Sequence, residues 1–281
     1  MTPPPTSADR IPGPGSRFSK LWNQTAKLFR GAQTYLPRIR NRAAWLELVR
    51  LPNLLTVPGD VLAGFLLAPA AVASGGNWLR LGLAIPASLL FYAAGLIFND
   101  VFDYAEDLRV RPERPLPSNR IAKETAVVVA LVFLWIAAFF AAFFEALPVA
   151  LPLILCIFLY DAGLKKHRIL GPILMGACRS GNLLLGAAAA GEGGLVAWKP
   201  ILAAILVGGY IAVVTHLARR ETEPGSKYPP PFIGKLLGLL IPLQAMLCVL
   251  SIHRFPANLL GLALLPGMRT RRRLSSQYLP S

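Results

Sequence analysis

The sequence predicts an all-α fold: a multi-pass transmembrane helical bundle of about eight spans. Three observations predict it. Hydrophobic residues make up 54% of the 281 positions and charged residues only 15%, and the mean hydropathy is +0.52. Soluble domains carry about 25% charged residues, so this chain is too apolar for that class. The apolar residues fall into long runs, and the basic residues collect in every second gap between them.

A spanning helix needs roughly 20 mostly apolar residues. Runs of this kind cover 54–73, 79–99, 122–143, 147–161, 169–190, 200–218, 234–251 and 255–268, the fourth and last being short. Nine Lys and Arg precede the first run, and five, three, four and four follow runs two, four, six and eight. The opposite gaps hold only Arg80, Lys199 and Arg254. By the positive-inside rule this places both termini in the cytoplasm, with the bacterial cytoplasmic membrane as the expected location. The net charge of +15 is thereby accounted for by topology, and no nucleic-acid partner is expected. No secretory signal precedes the first run.

Residues 1–44 form an arm, 45–268 the membrane domain and 269–281 a basic tail. The start of the arm is rich in Pro, Ser and Gly and reads as disordered. From 18 to 46, aromatic and aliphatic residues alternate with basic ones, which suits an amphipathic segment on an anionic leaflet or a solvated basic arm. Cys156, Cys178 and Cys248 lie far apart in apolar runs, with neither metal spacing nor an even count for disulfides.

The second run ends in Asn99-Asp100-Val101-Phe102-Asp103-Tyr104-Ala105-Glu106-Asp107. On a continuous helix, at about 100° per residue, Asn99, Asp100, Asp103, Glu106 and Asp107 share about a third of the circumference. Crowded carboxylates at a membrane edge repel one another and call for a cation. Oxygen ligands with room for water and phosphate suit Mg²⁺. Arg109, Arg111 and Arg114 follow at once, among Pro112, Pro115 and Pro117, which stiffen the loop. Arginine holds phosphate oxygens bidentately. The pattern points to a Mg²⁺–diphosphate ligand.

After the fourth run, Tyr160 and Lys165 offer a hydroxyl donor and a point charge to a diphosphate, with Lys166 beside them. Inside the fifth run, Arg179 and Asn182 share a helical face. An arginine inside a span faces the protein interior, as a partner for substrate or for the carboxylates.

The run Asn99-Asp100-x-x-Asp103-x-x-x-Asp107 with Arg114-Pro115-Leu116-Pro117-Ser118 resembles the first aspartate-rich motif of the UbiA superfamily of intramembrane prenyltransferases. Arg50-Leu51-Pro52-Asn53-Leu54-Leu55-Thr56 and the Tyr160…Lys165 pair are similar to that superfamily as well. The stretch from Tyr160 through Arg179 and Asn182 resembles its EboC-like subgroup. The resemblance covers roughly 45–250. It implies a bundle, commonly of nine spans, around a central cavity, whose acids hold Mg²⁺–diphosphate while an apolar tunnel holds the prenyl tail.

Departure of diphosphate would leave an allylic cation for an aromatic or other lipophilic acceptor to capture. Asp100, Asp103, Asp107, Tyr160 and Lys165 would carry catalysis, with Asn99, Arg111, Arg114, Lys166, Arg179 and Asn182 as further diphosphate contacts. Where the superfamily has a second aspartate motif, this chain reads Arg219-Arg220-Glu221-Thr222-Glu223, without Asp. Glu221 is then the fourth expected metal ligand, and Arg219 and Arg220 would hold phosphate directly. Asn119 stands where the superfamily often has glycine, a mild departure because Asn tolerates left-handed backbone. An EboC-like transport role for a secondary-metabolite precursor, without turnover, is the alternative on the same fold. A purely structural membrane subunit would leave the acids unexplained.

Overall fold

In the computed structural model, residues 41–69, 77–221, 230–251, 264–267 and 270 are described, and among them every regular element is helical. Side chains at 221, 230 and 231 fall outside that description. Most of the eighth expected run, 255–268, and most of the N-terminal arm lie outside it too.

Helix α1 (Arg42–Leu48) starts where the Asn41 side chain accepts a hydrogen bond from the Ala44 N–H at 3.1 Å, an ordinary N-cap. Arg50 then takes the left-handed conformation, φ 47°, and turns the chain into α2 (Leu51–Leu54) and α3 (Val57–Leu67), both with proline in the first turn. Proline suits that position because the N–H it lacks would be unpaired anyway. The long α4 (Trp78–Phe102) ends at Asp103, and α5 (Tyr104–Val110) follows. Asp103 (φ −82°, ψ 0°) serves both helices as terminal residue. The acidic stripe is therefore two helices joined at Asp103, not one rod.

The proline-rich loop then turns back. Asn119 has φ 58°, the left-handed backbone its amide tolerates. Arg120 pins this loop to α1 through a bidentate bridge to Glu47 at 2.7 and 3.0 Å.

Helices α6 (Lys123–Phe143), α7 (Leu147–Asp161), α8 (Leu170–Ala189), α9 (Trp198–Glu221) and α10 (Pro230–Val249) complete the bundle. A one-turn 3₁₀ helix, Leu164–Lys166, joins α7 to α8 after Gly163, whose φ of 136° suits glycine. Among the described residues, α4, α6, α9 and α10 are long and apolar enough to cross a membrane. The chain is an integral membrane protein by these helices.

Small residues set the packing. A Cβ on Gly64 would strike the Leu183 carbonyl, and one on Gly186 would strike the Val61 carbonyl. The α3 and α8 backbones thus cross in direct contact. Gly176 and Gly208 do the same for α8 and α9, where Ser180 Oγ also donates to the Ala204 carbonyl at 2.7 Å. Without a water-driven term between helices in lipid, such close approach is what holds them.

Helix α6 buries an alanine stripe (Ala126, Ala130, Ala137, Ala141) and turns Trp135, Phe139 and Phe143 outward. Phe133 and Phe140 of the same helix are half-buried against the core.

Gly186→Leu is expected to destabilise the bundle by about 2–3 kcal/mol, because the carbonyl in its way is backbone and cannot rotate aside. Gly209→Ala, with open space around it, is the control. Melting in detergent checks the pair: a large drop for the first and none for the second.

Candidate active site

Helices α4, α7 and α8 line a partly open cavity whose empty space, its open mouth included, is about 660 Å³. Its walls are apolar (Phe91, Leu96, Leu153, Ile157 and Met175). One end is polar, formed by Arg50, Asn99, Tyr160 and Asp161. Asp161 is buried, and its Oδ1 has no hydrogen-bond partner. This is the basic end of the bundle, where the Lys- and Arg-rich loops lie.

Outside that mouth the acids and bases interlock. Asp100 and Asp107 are 5% and 3% exposed. Arg114 Nη1 lies 2.8 Å from Asp107 Oδ2 and 3.7 Å from Asp100 Oδ1. Arg50 Nη2 donates to Asp100 Oδ1 at 3.1 Å, and Asn99 Nδ2 reaches the same oxygen at 3.3 Å. Lys165 Nζ sits 2.6 Å from Asp103 Oδ1 and donates to Asn99 Oδ1 at 3.2 Å. Buried carboxylates are tolerable only when paired in this way.

Asn99, Asp100, Asp103, Asp107, Arg114 and Lys165 are thus one connected cluster, and Tyr160 lines the cavity next to it. Others stand apart. Arg111 is half exposed and 3.8 Å from Asp107. Lys166 pairs with Glu106 at 3.2 Å on an open surface, and such exposed pairs contribute little. Arg220 is exposed. Arg219 donates to the carbonyl of His167 at 2.7 Å and to that of Lys165, so here it braces the turn that carries Lys165. The Glu221 side chain is outside the described residues. Among the described residues, no three His, Cys, Asp or Glu side chains group to hold a metal by themselves.

The two residues of α8 lie deeper. Asn182 Oδ1 accepts from Ser88 Oγ at 2.8 Å. Ser88 precedes Asn99 by eleven residues on α4, or about 16 Å of helix, so Asn182 is not grouped with the acidic cluster. Arg179 Nε is 2.9 Å from Asp60 Oδ2, close as an ion pair although not aligned as a hydrogen bond. Its Nη2 donates to the carbonyl and hydroxyl of Thr56, both at 3.1 Å. Gln244 Nε2 completes the knot, donating to Asp60 Oδ1 at 2.5 Å and to the Thr56 carbonyl at 2.8 Å. The arginine's carboxylate partner is therefore Asp60 on α3 and not the stripe. Asp60 and Gln244 were not singled out from the sequence, and Arg50 and Asp161 stood only within family-like runs, without a role of their own. An acid alone in an apolar run, opposite the one arginine inside another run, was the signal available for Asp60.

The arrangement resembles known proteins in sequence and in fold. The model of the UbiA prenyltransferase family matches residues 61–268. A digeranylgeranylglyceryl phosphate synthase of Methanothrix thermoacetophila is 29% identical over 216 residues, 72% of this chain and 77% of that protein. One of Ignicoccus hospitalis is 32% identical over 152 residues, 53% of this chain; the match spans about half of that protein's length, 48%. Both relatives are archaeal, which gives the expected bacterial membrane no support.

Among solved structures, a UbiA homolog from Archaeoglobus fulgidus bound to DMAPP and Mg²⁺ superposes with a TM-score of 0.53 at 15% identity, covering 83% of this chain and 87% of that one. A digeranylgeranylglyceryl phosphate synthase structure has the same TM-score, 0.53, at 20% identity, with 82% and 87% covered. These likenesses reach the family and stop short of the EboC-like subgroup. With the family model spanning most of the membrane domain, and an all-helical bundle under it, the chain belongs to the UbiA prenyltransferase family.

Proposed function

We propose that the protein transfers a prenyl group from an allylic diphosphate to a lipophilic acceptor, with the diphosphate and Mg²⁺ held at the basic end of the cavity. The observation that carries this reading is the pair Asp100 and Asp107: two buried carboxylates whose oxygens converge within 4 Å of one cationic nitrogen, that of Arg114.

That donor set fits Mg²⁺, which takes one or two carboxylates and completes its shell with water and substrate phosphate. Asp100 and Asp107 would hold it, with Asp103 beside them. When bound, the ion would neutralise charge on the departing diphosphate.

The chain's own residues do the rest. Arg50, Arg114 and Lys165, now on carboxylates, are long enough to meet phosphate oxygens beside them, and opposite charge stabilises the leaving group as it separates. Tyr160 supplies a hydroxyl at the same mouth. The apolar walls exclude water and would pack the isoprenoid. Phe91 and Tyr92 line the cavity further in, where they would pack against the isoprenoid. Arg219 acts through Lys165 by bracing its turn. The glyceryl phosphate named for the relatives and the DMAPP of the structural neighbour belong to those proteins. They support the substrate class, a prenyl diphosphate, and leave the acceptor to be read from this chain.

Purified protein in vesicles, given labelled geranylgeranyl diphosphate, Mg²⁺ and a lipid extract, is expected to release diphosphate and form a prenylated lipid seen by mass spectrometry. Lys165→Met should slow both about a hundredfold. Equal rates for the variant would overturn the role given to Lys165.

A further inference from the structure

The inner end of the cavity is polar again, well away from Asp100, Asp103 and Asp107. Arg179, Asn182 and Tyr92 line it, and the Arg179 guanidinium lies 5.8 Å from the centre of the Tyr92 ring. Both α8 side chains are almost fully buried, 4% and 2% exposed. Each is only partly used. Arg179 is engaged through Nε and Nη2, and Asn182 through Oδ1. Among the described residues, Arg179 Nη1 and Asn182 Nδ2 donate to no protein atom. Neither nitrogen is among the fully enclosed unpaired atoms, so both open into the cavity, and two unused donors facing one apolar space mark a place an oxygen can take.

The charge at this place narrows which oxygen. Arg179 is matched by Asp60, which has no exposed surface and lies 2.9 Å from it. An entering anion would lose its water and gain no uncompensated cation, because the guanidinium is already matched, and desolvation without compensation makes that unfavourable. A neutral oxygen costs far less to desolvate and takes both donors.

We infer that this inner floor recognises an uncharged oxygen, a carbonyl, ether or hydroxyl, on the lipophilic acceptor. The inference rests on the transferase reading for the word acceptor. It separates this chain from relatives named for a glyceryl phosphate.

The test uses the full chain in nanodiscs and three matched probes: hexylbenzene, 4-hexylacetophenone and 4-hexylbenzoate. The wild type should bind the ketone at least about tenfold more tightly than the carboxylate, and about tenfold more tightly than the hydrocarbon. Asn182→Leu should bring the ketone down to the hydrocarbon's level. Asp60→Asn, assayed below its melting midpoint, leaves Arg179 unmatched and should reverse the order in favour of the carboxylate. A wild type that prefers the carboxylate, or an Asn182→Leu variant with unchanged ketone binding, would overturn the inference even if Asp60→Asn does not fold. Geranylgeranyl diphosphate binding on the same samples reports on the transferase reading alone. Its absence would sink that reading while the probe ranking still decides the nature of the floor.

Discussion

Replacing Asp100 and Asp107 together by asparagine is expected to abolish prenyl transfer, lowering the rate by at least about a thousandfold, or about 4 kcal/mol of transition-state stabilisation. The two carboxylates are the buried members of the cluster, and their oxygens face a common point. Asparagine keeps the size and a carbonyl oxygen but removes both negative charges, so a divalent ion loses its anchor. The fold should survive. Arg50 and Arg114 are about a third and a quarter exposed, and each can turn to water when its carboxylate goes. A melting point near that of the wild type, with activity gone, is the expected combination. Substantial transfer by the double variant would remove the acids from the mechanism.

The second large effect is on stability. Asp60→Leu should cost about 3–5 kcal/mol, because it leaves a buried guanidinium without its counter-ion. In a chain of this size that corresponds to a melting drop of about 10 °C. The loss is one of pairing rather than of packing, so the double variant Asp60→Leu, Arg179→Met should recover much of it. Thermal unfolding of the three proteins in detergent is the measurement. If the double variant is as unstable as the sum of the two single ones, the ion pair is not the cause.

These two expectations draw on features of unequal visibility in the sequence. Helix placement is local: the apolar runs, the short fourth one included, gave α4 and α6 to α10 within about four residues, and the basic loops gather at one end. Asn99, Asp100, Asp103 and Asp107 stand within nine residues of one another, so their grouping was visible by spacing alone. The interruption at Asp103 was not, because no proline or glycine marks it.

Pairings between distant segments were out of reach for the same reason. Arg179 and Thr56 are separated by 123 residues, and no local period ties the start of α3 to the middle of α8; Asp60, an acid in an apolar run, was the one hint of the pairing. Arg219 shows the converse limit. Its position after the sixth run suggested a phosphate contact, whereas the folded chain uses it on loop carbonyls, a demand that exists only once the turn before α8 has formed. Asn182 was read by its helical face, which was right about burial and silent about depth.

The central claim is that the acids at the basic end of the cavity hold a prenyl diphosphate through a divalent cation. Calorimetric titration of geranylgeranyl diphosphate into the protein, with Mg²⁺ and then with excess chelator, tests it most directly. The account predicts saturable binding with Mg²⁺ that is lost with chelator and is lost equally in the Asp100→Asn, Asp107→Asn variant. Binding of the same strength with chelator present, or in that variant, would contradict it.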